Sequence, residues 1–188
     1  MEEREVLDAA PVVVALAGRR IDAAGAPERF PLGNRVRVRD AIASILSARP
    51  VSVLVCSAAC GADLLALEAA ASLGIRRRVI LPFSEDRFRT SSVMDRPGDW
   101  GPLFDRVMTE TAARGDLVVL ECGEGDSAYA IANQAILAEG EALAADARAA
   151  RVALIAWDGA PRAGGDLTDD FRTEAIGRGW LVEEVLTR

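Results

Sequence analysis

Six short runs rich in Val, Ile, Leu and Ala punctuate the chain, at Val12–Ala17, Val51–Cys56, Arg78–Pro82, Asp116–Glu121, Arg151–Trp157 and Trp180–Leu186. Runs of this length with little polar alternation are strands buried on both faces, as in a parallel sheet. Between them lie patterns of helical period: Val36–Leu46, a stretch from Leu64 closed by Gly74, Pro102–Arg114, Ala128–Ala147 and Leu167–Ile176. Strict strand–helix alternation predicts one α/β domain over residues 11–188, a three-layer Rossmann-like fold with a doubly wound parallel sheet. Residues 1–10 read as a frayed or weakly helical lead-in. Right-handed crossovers put the turns at 18–20, 57–63, 123–127 and 158–166 on one rim. A ligand crevice is expected where strand order reverses, between the first and fourth strands, which carry Gly18 and Gly123–Ser127. Phe83–Gly101 is irregular and is expected to be a lid or surface excursion with a short helix.

Missing residue types narrow the chemistry. The chain has no histidine, and all 22 of its basic residues are arginine. That excludes Ser-His-Asp and Cys-His catalysis, histidine-based zinc sites, the P-loop lysine and Schiff-base lysines. Arginine remains well suited to phosphate, which its guanidinium can bind in a bidentate way. The net charge of −7 argues against wrapping a long polyanion. Cys56, Cys60 and Cys122 are expected to be reduced thiols, and no metal site is expected. No apolar run approaches membrane-spanning length, and the acidic N-terminus does not resemble a signal peptide, so a cytoplasmic location is expected.

The stretch Val51–Glu68 carries the densest signal. A buried strand runs into Ser57-Ala58-Ala59-Cys60-Gly61-Ala62-Asp63, and a helix follows at once. Small residues let a ligand approach the backbone, and a helix start offers free N–H groups and a positive dipole end. Ser57, Ala58, Ala59, Gly61 and Ala62 are therefore candidate anion-binding residues, with close helix-on-strand packing as the competing explanation of the same glycine. On the first explanation Gly61→Val abolishes binding and spares most of the fold. Asp63 is either a helix cap or a ligand contact. Asp126 or Ser127 is expected to cap the long helix. Tyr129 and Asn133, one turn apart, can act together on a base or ribose.

In chain order the sequence shows Gly18-Arg19-Arg20-Ile21-Asp22, Arg29-Phe30-Pro31, Ser57 to Asp63 with Glu68, and Leu81-Pro82-Phe83. It then shows Ser92-Val93, Tyr129-Ala130-Ile131-Ala132-Asn133 and Trp157-Asp158-Gly159. This series resembles the SLOG superfamily of Rossmann-like domains, which takes in LOG phosphoribohydrolases, DNA-processing proteins and TRPM sensor domains. The resemblance implies a nucleotide or nucleotide-derived phosphoribosyl ligand. It implies contacts from Gly18, Arg19, Arg20, Arg29, Glu68, Gly123, Gly125, Ser127, Asp158, Gly164, Gly165 and Thr168. Two departures stand out. The family's GGT turn reads Gly164-Gly165-Asp166-Leu167-Thr168 here, where Asp166 would repel phosphate, and Asn133 replaces the glutamate of the LOG signature.

The leading expectation is a sensor-type domain that binds a small nucleotide-like ligand, with no membrane or nucleic-acid partner, no firm cofactor, and a homodimer left open. The alternative is a LOG-like nucleoside 5′-monophosphate phosphoribohydrolase, with Glu68 and Arg19 as catalytic residues. A third is single-strand DNA binding of the DNA-processing type.

Overall fold

The computed structural model describes residues 10–123 and 125–188; residues 1–9 of the expected lead-in over 1–10, together with Glu124, lie outside the described residues. Six strands, β1 Val12–Gly18, β2 Val51–Cys56, β3 Arg76–Leu81, β4 Leu117–Val119, β5 Ala150–Trp157 and β6 Leu181–Leu186, form one parallel sheet in the order β4-β3-β2-β1-β5-β6. The helices are α1 Arg35–Ser47, α2 Ala62–Ser72, the single turn α3 Glu85–Phe88, α4 Gly101–Ala113, α5 Asp126–Ala147 and α6 Leu167–Gly177. This is the expected doubly wound α/β fold.

One expectation about it fails. Strand order reverses between β1 and β5, whereas β4, the fourth strand, sits at the sheet's edge. After three steps outward from β1 the chain must return across the sheet to reach β5. The 22-residue α5 makes that return and packs on β1, β2, β3 and β5. The turn at 123–127 thus serves the edge, and only the helix that follows reaches the centre.

The unbroken apolar runs are explained by two cores, one on each face. Val12, Val14 and Leu16 of β1 point into the core beneath α1, α2 and α4, while Val13, Ala15 and Ala17 point into the core beneath α5 and α6. With both faces covered, neither parity of position is free to be polar. Helix α1 shows the ordinary apolar stripe, burying Val38, Ile42 and Leu46. Helix α2 buries eight of its eleven residues, so its lack of amphipathic pattern marks a helix enclosed all round. Gly74, at φ 71°, closes it with the left-handed backbone expected of a glycine stop. Among the described residues no helix is long and apolar enough to cross a membrane.

Two irregular stretches, the Gly- and Pro-containing Ile21–Asn34 and Phe83–Gly101, are held firmly. Asp22 accepts hydrogen bonds from the backbone N–H groups of Arg29 and Phe30, and Phe30 is buried. The stretch Phe83–Gly101, expected as a lid or surface excursion with a short helix, holds that helix, α3, and is anchored: Phe88 and Val93 are in the core, and Phe88 stacks on Phe104 at 6.2 Å. Helix α5 starts differently from the sequence reading. Its cap is Gly125, at φ 81°, and Asp126 and Ser127 are the first two residues of the helix.

Candidate functional site

A cavity of about 670 Å³ opens at the carboxyl end of the sheet, over the tip of β1 where strand order reverses. Leu16, Ala17 and Gly18 of β1 form its centre. The turn after β2 and the start of α2 supply Ser57, Ala59 and Asp63 on one side, and α5 contributes Tyr129, Asn133 and Ile136. The β5–α6 turn supplies Arg162, Gly165 and Thr168 on the other side, and Arg20, Arg29 and Arg96 also line it. Residues more than a hundred positions apart meet here because β1 and β5 are neighbours and α5 crosses between them.

Arg19 is spent on the fold. Its side chain is only 2% exposed; Nε donates to Asp158 Oδ1 at 2.9 Å, Nη1 and Nη2 donate to the two carboxylate oxygens of Asp166 at 2.5 and 2.7 Å, and Nη2 also donates to the Ala160 carbonyl at 2.9 Å. Its guanidinium also lies 5.9 Å from the centre of the buried Trp157 ring. Burial works against ionisation of Asp158 and Asp166, but the hydrogen bonds and charge of Arg19 outweigh it and hold both carboxyls below their usual range. The expected phosphate contact, or catalytic charge, at Arg19 is thereby replaced by a structural clamp. Asp166 does not face the cavity as an unpaired repelling charge: it also caps α6 through the N–H groups of Thr168 and Asp169. Arg29 joins the clamp through Asp158 at 2.9 Å, and Arg20 reaches across to Asp95 at 2.8 Å.

The glycine in the α2 turn answers to packing. Gly61 has φ 104°, and a Cβ there would lie 2.8 Å from the Arg19 carbonyl oxygen and 2.9 Å from the Ile21 nitrogen. The segment after β1 runs over it, bridging Arg20 to Gly61, and Ala62 N–H donates to the Arg19 carbonyl. Cys60 N–H donates to the Ser92 carbonyl. Two N–H groups at the start of α2 are thus already used by the protein, and Gly61→Val would collide with backbone before it met any ligand. Gly18 is similarly confined, with Ala62 and the Ala156 carbonyl in the way of a side chain.

Asp63 is not the helix cap. It is 8% exposed and lines the cavity, and its Oδ2 accepts from Ala59 N–H at 3.1 Å. Burial pushes its pKa up to about 7, against a smaller opposing effect of the Ala59 hydrogen bond and the Arg20 charge. Nearby, the Ser57 hydroxyl oxygen is buried without a hydrogen-bond partner, which among the described residues is the single such side-chain atom. Buried polar atoms are rarely left so, and the cost of one is about 1–3 kcal/mol.

Tyr129 and Asn133 line the same cavity, as their spacing suggested, and both are already engaged. The Tyr129 hydroxyl is 2.9 Å from Ser92 Oγ, and Asn133 Nδ2 donates to the Leu167 carbonyl. Glu68 is misplaced by the sequence reading. It lies on the outer face of α2, 3.8 Å from Arg106, lining a separate groove of about 360 Å³ with Arg35 and Trp100. Ala58, Gly61, Ala62, Gly123, Gly125, Ser127, Asp158 and Gly164 do not line the cavity, although Asp158 supports its wall. Charged lining residues that were not among the expected ligand contacts include Arg96, Asp126 and Arg162. Arg162 had a signal: it is an arginine inside the glycine turn Asp158–Gly165. Arg162 is exposed at the cavity's edge, its side chain has no hydrogen bond or ion pair among the described residues, and partial desolvation there, followed by the Arg19 charge, holds its pKa below the ordinary value.

No protein family matches this sequence, and no curated protein matches it. Among solved structures, DNA processing protein A from Helicobacter pylori, described for its single-stranded DNA binding mode, is 17% identical, covering 96% of this chain and 77% of that one at a TM-score of 0.44. The Moco carrier protein from Chlamydomonas reinhardtii is 14% identical, covering 94% and 91% at a TM-score of 0.35.

Proposed function

We propose that this protein binds a nucleotide or nucleotide-derived phosphoribosyl ligand in the cavity over β1, as a ligand-binding, sensor-type domain. The observation that carries the reading is a cavity at the reversal of strand order whose lining holds two side chains without a hydrogen-bond partner among the described residues, Arg162 and Ser57, while Arg19, Arg20, Arg29, Tyr129 and Asn133 are paired within the protein. Its volume suits a nucleotide. Arg162, beside Gly165 and Thr168 at the start of α6, is the natural phosphate partner, since its guanidinium lines the cavity with no ion pair among the described residues.

Binding is favoured over hydrolysis. The two residues a phosphoribohydrolase would need, Glu68 and Arg19, do not meet: one lies in the outer groove and the other is neutralised by two aspartates. The test is a thermal-shift screen with nucleoside mono- and diphosphates, paired with an assay for released base. At 100 times its Kd a ligand adds ~2.7 kcal/mol of stability. At least one nucleotide should raise the melting temperature, no base should be released, and Arg162→Ala should erase the shift. A shift unchanged in Arg162→Ala would remove the phosphate from this end of the cavity, and no shift with any nucleotide would overturn the reading.

A further inference from the structure

The cavity is chemically divided. On the β5–α6 side stand Arg162 and the start of α6; on the β2–α2 side, across the tip of β1, stand Ser57 and Asp63. An anion placed against Arg162 leaves the remainder of the ligand facing a hydroxyl and a carboxyl. Among the described residues Ser57 Oγ has no hydrogen-bond partner, and the Asp63 carboxyl accepts one hydrogen bond, at Oδ2 from Ala59 N–H. Both groups can be satisfied by ligand hydroxyls, which donate to a carboxylate and exchange hydrogen bonds with a serine.

We infer that Ser57 and Asp63 form a subsite for ribose hydroxyls, so that the cavity takes ribonucleotides in preference to 2′-deoxyribonucleotides. This rests on the nucleotide reading above and adds a specificity to it. The carboxyl is the stronger discriminator: a hydroxyl that donates to an ionised acceptor is worth more than one between neutral groups. Its state is set by few neighbours. Arg20, from the segment after β1, is the charge that acts on Asp63, Cys56 at the end of β2 faces it as a buried thiol pushed up by burial, and Asp22, Arg29, Arg96 and Asp126 line the same cavity. Because Asp63 titrates near neutrality, the preference for ribose grows as the carboxylate forms.

The experiment is calorimetric titration with AMP, GMP, CMP and UMP, each against its 2′-deoxy counterpart, at pH 6 and pH 8. The phosphate titration is common to each pair and cancels in the ratio of affinities. At least one pair should show a ribose preference of about tenfold or more at pH 8 and a smaller one at pH 6. In Asp63→Asn, which keeps an acceptor for Ala59 N–H, the preference should fall toward one and lose its pH dependence. In Ser57→Ala it should fall while keeping that dependence. Melting temperatures show that each variant is folded. Equal affinity for ribo and deoxy forms at both pH values overturns the subsite and leaves the phosphate reading standing. A preference that survives Asp63→Asn assigns it elsewhere and overturns it equally. Absence of binding by every nucleotide overturns the nucleotide reading and this subsite with it.

Discussion

At the scale of single residues, two positions of the α2 turn carry opposite kinds of cost. Asp63 stores an electrostatic one. Its pKa stands at about 7 in the folded chain against an ordinary 3.8, so between those values the unfolded chain releases a proton that the folded chain retains. Stability therefore falls as pH rises through that window and levels off above it, by at most ~4 kcal/mol. Asp63→Asn removes the dependence: urea unfolding should show it close to wild type at pH 5 and more stable by a few kcal/mol at pH 8. An equal difference at both pH values would mean Asp63 does not titrate there. Gly61 stores a steric cost that appears only on substitution. Because a Cβ would press on the Arg19 and Ile21 backbone at a φ that L-residues rarely adopt, Gly61→Ala should lower stability by roughly 2–4 kcal/mol without any ligand present. A Gly61→Ala protein as stable as wild type, yet deficient in binding, would return this glycine to the ligand.

Elements are held together at the rim by the Arg19 clamp, which ties the end of β1 to the turn between β5 and α6. Arg19→Met keeps the length of the side chain and leaves the buried Asp166 without its ion-pair partner and Asp158 with Arg29 alone, so it should cost about 3–5 kcal/mol at pH 7. Asp158 and Asp166 are held below the usual carboxylate range, so the stability they contribute is present above that range and lost as pH falls through their lowered values. The gap between Arg19→Met and wild type should narrow when unfolding is measured near pH 3. The elements were legible in the sequence: every strand and the five longer helices follow from apolar runs, helical spacing and glycine stops, because local pattern and burial agree. The partners of the arginines were not. Arg19 looked like a ligand residue because sequence adjacency shows neither Asp158 nor Asp166, which lie more than 130 positions away. Glu68 looked like a site residue because distance along α2 does not say which side of the helix faces the cavity.

For the whole molecule, the sheet order was the feature that sequence could not supply. Alternation predicts the layers and the common rim, but nothing local marks β1 and β5, rather than β1 and β4, as neighbours; that is decided by the return of α5. Stability should be distributed accordingly. Strand β1 is central and covered on both faces, while β4 is a three-residue edge and β6 an edge with Leu181 and Leu186 exposed. Native-state hydrogen exchange should find β1 and β5 amides opening last and β4 amides first. Uniform protection across the sheet would contradict it. The crossing of α5 also has a genetic consequence. One wall of the cavity is encoded before residue 97, mostly before residue 64, and the other after residue 125, and the exposed Pro97–Asp99 segment lies between them. A gene cut there would yield two polypeptides, each carrying half a binding site, whose reassembly a bound nucleotide should promote.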